Sequence, residues 1–108
     1  MSGYNGWTNY ETWNVKLWLD NDEGSYLYWR ERAEERYAEG KAGEDMDSAV
    51  SDLRDELQSS HEENMPEVHG TYADLLGAAL SEVNWHEIAE SLMEDAKENV
   101  EDAEGRET

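Results

Sequence analysis

Asn84-Trp85-His86-Glu87-Ile88-Ala89-Glu90-Ser91-Leu92-Met93-Glu94-Asp95-Ala96-Lys97-Glu98-Asn99-Val100 is the stretch whose reading decides the fold. Trp85, Ile88, Ala89, Leu92, Ala96 and Val100 recur at intervals of one to four residues that place them on one helix face, turned inward. Asn84 stands where an N-cap is wanted, and Glu87 follows three residues later in the capping-box position. Glu87, Glu90, Glu94, Glu98 and Glu101 advance by threes and fours on the opposite side. One helix thus carries a core face and an unbroken carboxylate stripe.

Working outward toward the N-terminus, the same period returns. Tyr72, Leu75, Leu76, Ala79 and Leu80 mark a short helix behind Thr71, its expected cap, and Pro66 and Gly70 bound the connection before it. Met46, Ala49, Val50, Leu53 and Leu57 predict a helix over 45–61. Trp29, Ala33 and Tyr37, extended by Tyr26, predict another over 24–39, ended by Gly40 and Gly43. On its solvent side Arg30, Arg32 and Arg36 interleave with Glu31, Glu34, Glu35 and Glu39.

Thr8-Asn9-Tyr10-Glu11 reads as a second capping box, with Thr8 at the N-cap, opening a helix to about Leu19. Tyr10, Trp13, Leu17 and Trp18 on one side and Val15 and Leu19 on the other make that helix apolar nearly all round, so it is expected at the centre. Trp13, Trp18, Trp29 and Trp85 are the expected core tryptophans. No stretch alternates as a half-buried strand does. The fold class is therefore all-α: a single small, bundle-like domain of four to five helices over residues 1–100, with residues 101–108 as a frayed acidic tail.

Charge supplies the next constraint. The 108 residues hold 28 Asp plus Glu against 8 Lys plus Arg, a net of −20. Residues 1–43 carry 8 acidic and 5 basic side chains, a net of −3, and residues 44–108 carry 20 and 3, a net of −17. Such an imbalance repels itself and argues against direct binding to nucleic acid or to anionic membrane, both of which require Lys and Arg. Five Trp and six Tyr, nine of them within residues 4–37, argue against a solvating tail and for a folded chain. There is no Cys, no apolar run long enough to span a bilayer and no export leader at the start, so the chain is expected in the cytoplasm of the cell that holds it.

The chemistry-bearing motifs are sparse. Asp20-Asn21-Asp22-Glu23-Gly24 with Glu31 resembles a calcium loop, but Gly24 and Ser25 occupy positions where that loop wants an oxygen ligand and a glycine, so an interhelical loop is the better reading. His61-Glu62-Glu63-Asn64-Met65 misses the zinc-protease pattern at Met65, and His61, His69 and His86 share no helical ligand spacing. No nucleophile triad or phosphate-cradling loop is present in the sequence. No enzyme, metal or cofactor is expected.

Gly6-Trp7-Thr8-Asn9-Tyr10-Glu11-Thr12-Trp13-Asn14-Val15, followed by Leu17-Trp18 and Asp20-Asn21, resembles the signature of small uncharacterised proteins from phages, plasmids and other mobile elements of bacteria and archaea. Val83-Asn84-Trp85-His86-Glu87-Ile88-Ala89-Glu90 resembles their closing helix. The resemblance implies a context, a domain of unknown function, and no catalytic residues.

Carboxylates three or four apart on a helix lie about 5–6 Å from one another, the scale of successive phosphates on a nucleic-acid strand. Asp52, Asp55 and Glu56 on one helix and Glu87, Glu90, Glu94 and Glu98 on another are the candidate partner-binding carboxylates, with Tyr4, Trp7 and Tyr28 as candidate apolar anchors. The expected partner is a basic, nucleic-acid-binding nuclease or defence effector, inhibited by nucleic-acid mimicry of the anti-CRISPR or anti-restriction type. The alternative is a halophile-adapted, non-enzymatic interaction module whose acid is solvation.

Overall fold

The computed structural model describes residues 3–107, of which 104, 106 and 107 are described by backbone alone. Five helices follow in order: α1 (Tyr10–Asn21), α2 (Glu23–Gly43), α3 (Met46–Glu63), α4 (Thr71–Ser81) and α5 (Trp85–Glu107). There is no strand among the described residues. The segment expected to fray continues α5 as far as Glu107.

Three helices build the core. α2, α3 and α5 each pack on the other two, and α2 and α3 form an antiparallel hairpin through the tight turn at Glu44 and Asp45. Trp29, Ala33 and Tyr37 of α2 meet Ala49, Leu53 and Leu57 of α3, and α5 closes the triangle with Trp85, Ile88, Ala89, Leu92, Met93 and Ala96. Leu53, Leu57 and Ile88 have no accessible surface. Gly40 does not end α2 but lies inside it. A Cβ there would stand 2.8 Å from the Ala49 Cβ, so its missing side chain is what lets α3 approach. The left-handed residue past the helix end is Glu44, with φ 55°.

α1 is not central. It lies against α2 and, less extensively, α5, and the residues it buries are Thr12, Lys16 and Leu19. Trp18 is 66% exposed and Tyr10 is 51% exposed, whereas Trp13 is half-buried. Amphipathic rings tolerate water at their polar tips, and Lys16 is buried because its ammonium reaches both Asp20 carboxylate oxygens at 2.7 Å. The loop expected over Asp20–Gly24 contracts to Asp22 alone, which ends α1 and starts α2.

Two caps also differ from expectation. Asn9, not Thr8, caps α1, its Oδ1 accepting from Thr12 N at 2.9 Å. Gly70, with φ 61°, occupies the cap position of α4, and Thr71 is that helix's first residue. Ahead of α1, Tyr4 and Trp7 exchange backbone hydrogen bonds at 2.7 and 2.9 Å around Asn5-Gly6. Both central residues have positive φ, 49° and 89°, as an Asn-Gly hairpin turn requires.

Candidate protein-binding surface

The two stretches that carry the family resemblance meet in space. Asn84 N–H donates to Thr12 Oγ1 at 2.8 Å, and that hydroxyl donates to Asn9 Oδ1 at 2.6 Å. Asn9 Nδ2 donates to the Glu82 carbonyl at 2.6 Å, and Thr8 N–H donates to Glu87 Oε1 at 3.0 Å. Asn84 Nδ2 reaches Thr8 Oγ1 at 3.3 Å, while Asn84 Oδ1 caps α5 by accepting from Glu87 N at 3.1 Å. Thr12 is fully buried, so its hydroxyl is worth most where it sits. This network staples the start of α1 to the start of α5. It gives Thr8, Asn9, Thr12, Asn84 and Glu87 of the two stretches a structural role.

From that anchored start, α5 projects its carboxylates away from the core. Glu90, Glu94, Glu98 and Glu101 are exposed, whereas Glu87 is half-buried and held by Thr8. Glu90 has His86 Nε2 at 3.7 Å. Glu94 and Glu98 make no ion pair among the described residues. The stripe therefore survives as exposed, mostly unneutralised charge over about three turns of helix. The acid of α2 is different in kind: Glu34, Glu35 and Glu39 pair with Arg30, Arg32 and Arg36 along the same helix.

On α3 the three candidates separate. Asp52 is exposed. Asp55 is exposed and has Arg54 Nη2 at 3.0 Å. Glu56 is turned toward α2, where Arg32 Nε and Nη2 reach its Oε1 at 2.9 and 2.7 Å and Arg36 Nε reaches its Oε2 at 2.8 Å. Hydrogen bonding to Glu56 raises both guanidinium groups above their ordinary pKa, against the opposing effect of partial burial. Glu56 is thus a strut between α2 and α3.

The aromatic candidates are also distinct from one another. Tyr4 is partly exposed and packs on Tyr10 and Trp13 with ring centroids 5.2 and 4.8 Å away. Trp7 is half-buried against the core. Tyr28 is 54% exposed and meets Trp29 edge-on at 5.0 Å. Trp18, Tyr72 and Leu75, expected from helical period to face inward, are exposed instead, as is Leu27.

A groove adjoins the acidic stripe. Tyr37, Met46, Val50, Glu90, Met93, Glu94 and Lys97 line it, from three helices, around a volume of about 440 Å³. No group of three or more His, Asp or Glu among the described residues is arranged to hold a metal ion. His61 is half-buried. Its ring lies between Trp29 and Trp85, at 6.4 and 5.0 Å, and its Nδ1–H donates to the Leu57 carbonyl at 2.7 Å. No helix among the described residues is long and apolar enough to cross a membrane.

Residues 1–104 match a family of unknown function, DUF7249, and the chain belongs to that family. No curated protein and no solved structure matches it.

Proposed function

We propose that this protein is a small, non-enzymatic inhibitor from a phage or other mobile element. It acts in the host cytoplasm on a basic, nucleic-acid-binding defence protein of the anti-CRISPR or anti-restriction target type. Occupation of the target's nucleic-acid site by protein carboxylates is the mechanism. The observation that carries this reading is the α5 stripe, Glu90, Glu94, Glu98 and Glu101, exposed on one side of a helix whose other side is core. A row of like charge that its own fold leaves largely unpaired costs stability and suits a cationic groove, with long-range steering that salt weakens. Asp52 and Asp55 add to the exposed acid. Glu56 and Glu87 are engaged within the fold and contribute to the field without being free to contact a partner.

A second reading draws on the exposed Trp18, Tyr28, Tyr72 and Leu75. In it the acid only solvates the chain, as in a halophilic cytoplasm, and the aromatics make an adaptor surface. One experiment separates the two: affinity capture of host proteins at low and high salt, with DNA as competitor, for the wild type and for Glu90→Lys/Glu94→Lys. Mimicry predicts a nucleic-acid-binding partner that salt and DNA displace and that the double variant no longer binds, with helicity unchanged by circular dichroism. Undiminished capture by the variant sinks the mimic and leaves the adaptor.

A further inference from the structure

We infer that the groove between α2, α3 and α5 receives a cationic segment of the partner that carries an apolar anchor, with the anchor on the groove floor and its flanking Arg or Lys on Glu90 and Glu94. This rests on the reading of the α5 stripe as a partner surface and gives that surface a specific point of attachment.

Three features select this occupant. The apolar lining is Met46, Val50, Met93 and Tyr37; two unbranched thioethers adapt to an incoming apolar side chain without a preset shape. The rim carries Glu90 and Glu94, one turn apart on α5, at about the 5–6 Å spacing that a guanidinium fork bridges. Lys97 lines the same groove one turn beyond Glu94 and disfavours a second cation there. The charged flank of the segment is thereby placed toward Glu90.

Tyr37 supplies an independent observation. The residue is 5% exposed, and its hydroxyl makes no hydrogen bond among the described residues. Lys41 Nζ stands 5.9 Å from the ring centroid, over the ring. No buried, unexposed side-chain oxygen or nitrogen among the described residues lacks a partner, so the unbonded hydroxyl keeps its small accessible area, and this groove is the cleft Tyr37 lines. Open to the groove, the phenol oxygen can accept from a guanidinium or ammonium group of the incoming segment. An anionic ligand is excluded by the two rim carboxylates.

The test uses the full chain and two fluorescent peptides of equal positive charge, one alternating Leu with Arg and one of Arg spaced by Gly, titrated by anisotropy. The Leu/Arg peptide should bind about tenfold more tightly than the Gly/Arg peptide. Val50→Lys should abolish that preference, with thermal melting as the fold check. Tyr37→Phe, which keeps the ring in the core, should weaken the Leu/Arg peptide about threefold and leave the Gly/Arg peptide unchanged. Equal affinity for the two peptides, or a preference that survives both variants, overturns the groove and leaves the stripe. Glu90→Gln/Glu94→Gln should weaken both peptides; if it weakens neither, the stripe itself fails as a partner surface.

Discussion

α4 and α5 are separated by three residues and divide the chain's resources in opposite ways. α4 is the most apolar helix by composition, with Tyr72, Leu75, Leu76, Ala79 and Leu80 in eleven residues, and it buries none of them. α5 is studded with carboxylates and buries six of its described residues. Apolar content therefore does not decide burial here; the number of neighbours a helix can reach does. α5 lies against both members of the α2–α3 hairpin. α4 is tied at its ends, by the connection over 64–70 and by Glu82–Asn84, the latter fastened to α1 through Asn9 and Thr12. Its Leu76 and Leu80 turn toward the body, where they line a cleft of about 390 Å³ with Leu19, Trp29 and His61.

The sharpest way to break this contrast is truncation on each side of it. Ile88→Ala removes a side chain with no accessible surface from the first turn of α5 and should cost about 2–5 kcal/mol, a large share of a small domain's stability. Leu75→Ala, at 63% exposure in α4, should cost less than about 0.5 kcal/mol. Urea unfolding of the two variants measures both. Comparable losses would mean that α4 is buried in solution, against a second copy or a partner.

The joint between the two helices comes next in size. Thr12→Val keeps the shape of a fully buried side chain but deletes the hydroxyl that accepts from Asn84 N and donates to Asn9 Oδ1. Leaving that backbone N–H unpaired should cost about 1–3 kcal/mol, whereas Thr12→Ser, which keeps the hydroxyl, should cost about 1 kcal/mol. Melting temperatures in that order confirm the staple. A Val variant as stable as the Ser variant would mean that apolar packing, not the hydrogen bonds, holds α1 to α5.

Much of this was legible beforehand, and the exceptions share a cause. The inward stripes of α2, α3 and α5 follow from helical period, as does the carboxylate row of α5. What period cannot supply is the identity of the neighbour. Tyr10 and Trp18 look like core in a helix that is apolar nearly all round, yet Thr12 and Lys16 are buried instead, because their partners Asn84 and Asp20 satisfy them. Glu56 reads as free acid until α2 brings Arg32 and Arg36 to it, and the groove has walls from three helices. The Asn5-Gly6 turn is the exception. It carries a purely local signal, the Asn-Gly dipeptide itself.

The smallest expected effect tests whether α4 belongs to the core's cooperative unit at all. Gly77 sits in mid-helix, and a Cβ there would meet no atom within 4 Å. Gly77→Ala should therefore stabilise α4 by about 1 kcal/mol through propensity alone. An eleven-residue helix with nothing buried has little to hold it besides its ends, so its amides should exchange with solvent well before those of α5. If α4 opens by itself, the substitution slows exchange in α4 about fivefold and leaves the melting temperature of the three-helix core within about one degree, because α4 has already opened when the core melts. If α4 instead melts with the core, the same substitution raises the melting temperature by about 4 °C and slows exchange throughout the chain. The first outcome leaves α4 as an appendage whose apolar face is available to a partner; the second makes its exposed leucines part of the price of a single cooperative fold.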